Sequence, residues 1–222
     1  MYKNEATEAT PILQRALRNL LNAIPSTWLT ASDLRTACSL LSVNAEKLLY
    51  FDQAGPQLSD CFEKARKIGA TLPQIEWVRR QTVMESPVTV GAMMVKNSIM
   101  RLCLVTEGRI IADMIFTSRR DVDALMASVN QIFADAEEIA ADEMDQMSYR
   151  GIVELHANVI FYLVQTARPL PVMLKYSFFS VMSSLMMSNR LYYDASRADE
   201  LRAENKVVHP LFMPLQGQAL SQ

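Results

Sequence analysis

Two histidines, three cysteines and one acidic run are the side chains of this 222-residue sequence best suited to chemistry. His156 and His209 stand far apart, and neither belongs to a Glu-x-x-His pair or to a His pair one helical turn apart. Those are the spacings that place zinc ligands on one face of a helix. His156 is therefore expected in a core or a helix interface. Cys38, Cys61 and Cys103 are odd in number and widely separated. They imply neither a disulfide framework nor a metal knuckle, and read as buried thiols in a reducing compartment. No Gly-x-Ser-x-Gly elbow, phosphate-cradling glycine loop or Cys-x-x-Cys occurs. The remaining constellation is Asp135, Glu137, Glu138, Asp142, Glu143 and Asp145. Paired carboxylates exchange protons only in a shaped cleft that separates their pKa values. Six like charges in eleven residues repel when buried, and these lack the alternating ligands and turn glycine of a calcium loop. A solvated acidic face, or one turned to a basic partner, is the expectation. No catalytic residue, no metal and no cofactor is expected, and the chain does not read as an enzyme.

The opposite charge gathers at Lys64, Arg66 and Lys67 and at Arg79 and Arg80, with Trp77 close by. Such residues on one surface would grip phosphates, with the aromatic ring stacking a base. These five are the candidate DNA contacts. The net charge of -2 supplies no general attraction to nucleic acid or an anionic membrane.

The elements that would carry these residues are helical. Half of the residues are hydrophobic, 21% are charged and only six are glycine, while fourteen are methionine. Ala, Leu, Met, Glu and Arg keep most of their rotamer freedom in a helix. The spacing predicts a helix over 12–24, with Pro11 in its first turn and Pro25 ending it. Another starts near Thr30-Ala-Ser-Asp33 and breaks at 42–44. A helix over 57–68 follows Gly55-Pro56 and stops at Gly69, and Pro73 opens the next. A long apolar segment runs over 89–115. Ser118 to Asp121 has the form of a capping box, followed by a stripe of Val122, Leu125, Val129, Ile132, Ala136 and Ile139. A further helix carries Ile152, Leu155, Val159 and Tyr162. The organisation expected is an irregular helical region over 1–87, a three-helix bundle over 88–167 and a C-terminal module over 168–222.

Pro169 and Pro171 must interrupt helix, and 172–176 reads as extended. The uncharged stretch Tyr176 to Met187 is too short to span a bilayer and reads as a buried helix. Met1 to Glu8 is polar and acidic, unlike a signal peptide. In the last module Ser196 is expected to cap a helix over 198–205 that Asn205 ends in a left-handed conformation. Tyr192, Leu201 and Phe212 are expected to be buried, with Pro210 fixing the exit of a strap that crosses back over the helix. Arg197 is expected to be exposed.

Three segments carry a resemblance. They are Leu163-Val-Gln-Thr-Ala-Arg-Pro-Leu-Pro171 with Val172-Met-Leu-Lys-Tyr176, then Asn189 to Asn205, then His209-Pro-Leu-Phe-Met-Pro214. Together with Ile115-Phe-Thr-Ser118 they resemble the C-terminal part of the DNA-circularisation proteins of Mu-like tailed phages, over about residues 95 to 222. The family's N-terminal domain has no counterpart here, so the resemblance implies its C-terminal region, as a fragment or in a shortened relative. Within it, Leu191-Tyr-Tyr-Asp194, Glu200 to Asn205, His209-Pro210 and Gly217-Gln218 resemble the later part of a LysM module. Where that module carries Pro-Gly-Gln, this chain has Gln216-Gly-Gln218 after Leu215.

The fold implied is mainly α, a helical bundle with a small C-terminal α/β (LysM-like) module. Tyr192, Ser196, Leu201, Asn205, His209, Pro210 and Phe212 are its structural residues. The function implied is that of a structural component of a contractile phage tail or baseplate, located in the virion and assembled in the bacterial cytoplasm. Its expected partners are other tail proteins and further copies of itself, without a membrane span. The rival expectations are a DNA-binding protein that holds genome ends and a peptidoglycan-binding module.

Overall fold

In this computed structural model, which describes residues 1–24, 31–142 and 146–221, helical spacing becomes ten α-helices among the described residues. These are α1 (Lys3–Ala23), α2 (Ala31–Val43), α3 (Ala45–Tyr50), α4 (Ala54–Ile68), α5 (Leu72–Val83) and α6 (Val90–Asp113). They continue with α7 (Arg119–Asp142), α8 (Gln146–Ala167), α9 (Ser184–Tyr192) and α10 (Ala198–Glu204). Strands β1 (Met173–Ser177) and β2 (Gln216–Leu220) pair antiparallel, Met173 opposite Leu220 and Ser177 opposite Gln216. The fold is mainly helical with a small sheet near the C-terminus, as expected. The sheet is not a hairpin, because α9 and α10 lie between its strands.

Several boundaries differ from expectation, each for a local reason. Helix α1 begins at Lys3, so Pro11 lies inside it. Ala6 and Ala9 are fully buried, and small side chains carry little signal in an apolar count. Gly55 and Pro56 fall in the first turn of α4 instead of before it, where a missing N–H is no loss. Gly69 does end α4, with φ 100° in the left-handed region. Pro25, Thr30, Glu143 and Asp145, singled out above, lie outside the described residues.

The chain separates into two compact units, residues 1–114 with 140–155, and residues 115–139 with 156–222. The boundary expected between 87 and 88 does not follow the packing, because α6 falls in one unit with α1 and α5. Two carboxylates of α1 explain the attachment. Glu8 accepts hydrogen bonds from the N–H groups of Val88 (2.7 Å) and Thr89 (3.0 Å), and Glu5 accepts from Gly91 (3.3 Å). They satisfy N–H groups at the start of α6 that have no partner within the helix and favour negative charge. The Thr89 side chain first, and then the Val88 and Thr89 N–H groups, hold the Glu8 carboxyl below the ordinary carboxylate range. Leu13, Leu17 and Leu20 of α1 meet Leu34 and Leu41 of α2, Phe62 of α4, Ile75 of α5 and Ile99 of α6 in one core. Burying each such side chain contributes about 1.5–3 kcal/mol.

In the second unit the predicted stripe of α7 is the packed one. Val122, Val129, Ile132 and Ala136 are buried, joined by Phe133, while Val159 and Leu163 are buried on α8. His156 is an interface residue between these helices. Its ring stacks on Phe133 with centroids 4.9 Å apart, and its Nδ1 lies 2.8 Å from Glu137 Oε1. Ser118 Oγ accepts from Asp121 N at 3.3 Å, the capping contact expected before α7. Asp135, Glu138 and Asp142 are exposed, as anticipated of the acidic face, whereas Glu137 is half-buried against His156.

Candidate functional site

The five candidate DNA contacts do not make a free basic face. Arg79 is buried, 6% exposed, and points its Nε at Glu107 Oε1 across 3.4 Å between α5 and α6. Lys64 pairs with Asp60 and Arg80 with Glu76, each one turn away on its own helix. Arg66 holds Glu63 at 2.7 Å and also Asp113, while Lys67 stands 3.9 Å from Glu63. Hydrogen bonds from Arg66, and then Arg109, bring the Glu63 carboxyl down to about 2. The positive charge is matched locally, which leaves little for phosphates. Asp33, Asp60 and Lys64 also border a cleft of about 550 Å³ between α2 and α4. Among the described residues, no group of three or more His, Cys, Asp or Glu side chains is placed to hold a metal. No described helix is long and apolar enough to cross a membrane.

Glu107 is a buried carboxyl strongly altered by its surroundings. It is 1% exposed, its Oε2 has no partner, and burial pushes its carboxyl up to about 7 against the pull of Arg79. Burial likewise pushes the Cys103 thiol, one turn away on α6, well up. This pair lies in a packed core, and it reads as a structural device.

The C-terminal module is organised differently from the sequence expectation, and its geometry supplies the candidate site. Order β1–α9–α10–β2 encloses a small core of Tyr176, Met182, Met187, Tyr192, Leu201 and Met213. Tyr192 and Leu201 are buried as expected. Ser196 is not the cap. Asp194 accepts from Ser196 N (2.8 Å) and from the Ser196 hydroxyl (2.8 Å), starting a 3-10 turn over Ala195–Arg197 that feeds α10. A carboxylate two residues earlier reaches those N–H groups better, and these donors hold Asp194 below its ordinary range. Asn205 is not left-handed, with φ −95°, and Lys206 takes that conformation instead with φ 53°. The Asn205 amide is used elsewhere. Its Nδ2 donates to Gln218 O (2.7 Å) and its Oδ1 accepts from Gln218 N (2.8 Å), so the side chain pairs with β2 as a neighbouring strand would. Gly217 permits this, since a Cβ there would collide with Asn205 Oδ1 and the Tyr176 ring. Arg197, expected to be exposed, lies 3.9 Å over the Tyr192 ring and holds Glu200 at 2.6 Å.

Residues 178–183 are not a buried helix. They run antiparallel to the strap 210–215, held by Phe178 N to Leu215 O (2.7 Å), Met213 N to Met182 O (3.0 Å) and Ser184 N to Pro210 O (2.7 Å). The strap therefore crosses back at Pro210, but it packs on this segment and on the start of α9. Met213 is its buried anchor, at 1%, whereas Phe212 is 66% exposed. Phe212 points outward because its neighbour points in, and its ring lies 5.3 Å from that of His209. His209 Nδ1 accepts from Leu211 N at 3.4 Å.

The outward residues of the pair are large and apolar. Phe179, Val181, Leu185 and Met186 are exposed on one segment, and Val208, Leu211, Phe212 and Leu215 on the other. Neither 178–186 nor 207–218 contains Asp, Glu, Lys or Arg. An apolar exposed face of this extent is the surface signature of a protein contact. The sequence reading missed the exposure of Phe179 because apolarity there was equated with burial, and it placed Phe212 in the core where Met213 stands.

No protein-family model matches the chain, and no curated protein matches it.

Proposed function

We propose that this chain is a structural component of a contractile phage tail or baseplate that holds neighbouring subunits together, with a link to DNA circularisation after ejection. One observation carries the assembly part of this reading, the uncharged apolar face of the C-terminal module formed by 178–186 and 207–215. A surface of this chemistry gains by leaving water against another protein, and it carries no Lys or Arg for a phosphate. The tail setting rests on the resemblance of 163–176, 189–205 and 209–214. The β1–α9–α10–β2 module supports the LysM-like part of that resemblance, in a role as adaptor between subunits. The DNA reading draws no support from Lys64, Arg66, Lys67, Arg79 and Arg80, whose charges are already matched.

The test is genetic. The gene is deleted from the phage that carries it, and wild type or Phe212→Asp is supplied in trans. Loss of intact tails in the deletion, restored by wild type and not by Phe212→Asp, is the expected result. Tails of normal number and composition without the gene would refute the proposal.

A further inference from the structure

We infer that the apolar face of the C-terminal module is a two-fold interface between two copies of this chain; the inference rests on the assembly reading above and names its partner. The face is built as a ribbon. Three backbone hydrogen bonds lock 178–184 against 210–215, Met182 and Met213 turn inward, and Phe179, Val181, Leu211 and Phe212 turn to solvent. The first turn of α9 extends it, with Leu185 and Met186 exposed beside the buried Met187.

Two physical arguments select a second copy as the occupant. The first is area. The outward side chains expose on the order of 1,000 Å², taking about 190 Å² for each fully exposed large apolar side chain. A stable interface of ordinary size needs about 800 Å² from each partner. The second is charge. In a two-fold contact the same patch meets itself, so any charge near the axis meets its own sign. Every charged side chain there would oppose the contact, and the two segments carry none. The charges of the module lie outside the two segments, among them Lys175 on β1, Arg190 on α9 and a mixed set on and around α10. A face shaped for a charged partner would keep at least one complementary ion.

Sedimentation velocity on the full chain tests this. Wild type is expected to sediment as a dimer of the 25.0 kDa chain. Phe212→Asp and Phe179→Asp are expected to sediment as monomers at tens of micromolar, a weakening of about a hundredfold or more. At a concentration where wild type is monomeric their urea midpoints should match it, because both rings are in water in the single chain. A second measurement avoids charge altogether. Leu211→Cys should oxidise to a covalent dimer, while Leu40→Cys, exposed on α2, should not; Cys38, Cys61 and Cys103 are buried and silent. A wild-type monomer at about 100 µM overturns the two-fold interface. So does a dimer that survives both aspartates. Failure of the two readings separates cleanly. A wild-type monomer whose Phe212→Asp variant still blocks tail formation assigns the face to a different tail subunit. A dimer broken by Phe212→Asp with normal tails leaves the interface standing and removes the assembly role.

Discussion

Arg79→Met isolates the buried carboxylate of Glu107 and should make the stability of the first unit depend strongly on pH. Both side chains are removed from water, at 6% and 1% exposure, and they meet through one contact of 3.4 Å with Glu107 Oε2 unpaired. Removing one partner of such a pair costs about 3–5 kcal/mol when the other must stay charged. Glu107 has an escape, because protonation neutralises it. Its folded pKa of about 7 already lies above the ordinary 4.5, so the folded state holds the extra proton between those values. The contribution of this group to stability is full below about 4.5 and is lost as pH rises through about 7. Without Arg79 the folded pKa rises further. Arg79→Met should therefore cost about 3 kcal/mol or more at a pH of about 8.5, and near 1 kcal/mol at about 5. Arg79→Met with Glu107→Leu should recover to within about 1 kcal/mol of wild type at both, since apolar side chains commonly replace such a pair without loss. Urea melts followed by tryptophan fluorescence read the first unit, because Trp77 lies on α5 and no tryptophan follows it in the sequence. Equal costs at the two pH values, or a double variant that is the sum of its parts, would refute the reasoning.

Met213→Ala should cost about 2–4 kcal/mol, because Met213 is an anchor of the module core, whereas Phe212→Ala should stay within about half a kcal/mol; urea melts of the two, at a concentration that keeps the chain monomeric, decide it. Gly217→Ala should loosen the module by about 1–3 kcal/mol, as the added methyl must displace the Asn205 amide and Tyr176, and faster exchange of the Gln218 N–H would report it. Glu8→Gln should weaken the start of α6 and remove part of the acid sensitivity of the first unit. The depressed Glu8 pKa stabilises above about 4.5 and is lost as pH falls below it, so comparing acid titrations of the two proteins measures the difference.

How much of this was legible follows from which forces act locally. The stripe on α7 was readable because a period of three and four survives any partner, and Val122, Val129, Ile132 and Ala136 are buried as the pattern requires. Gly69 was readable because a left-handed C-cap selects for glycine at a fixed offset. The start of α1 was not, since its evidence is two alanines and a pair of glutamates that act on α6, about eighty residues later. Asn205 was correctly singled out for the wrong reason. A short amide at a helix end suits a left-handed turn, but here the same hydrogen-bonding capacity is spent on Gln218, a contact that exists only once β2 has come alongside.

The candidate sites failed and succeeded on the same distinction. Glu63 with Arg66, Asp60 with Lys64 and Glu76 with Arg80 are intrahelical pairs three or four residues apart, so their neutralisation was visible in the spacing that suggested a basic patch. Arg79 and Glu107 are twenty-eight residues apart, and only the packing of α5 on α6 joins them. The apolar face is a harder case. Its sequence signal is two uncharged stretches, each of which taken alone is indistinguishable from core, as the expectation of a buried helix over 176–187 illustrates. Three backbone hydrogen bonds align them so that Met182 and Met213 fill the available interior. Once those two are inside, a module this small has no room for Phe179 or Phe212, and their exposure follows from volume. The same volume limit explains why the surplus is apolar at the surface in one place and not scattered: the segments that supply the core are the segments that cannot bury all they carry.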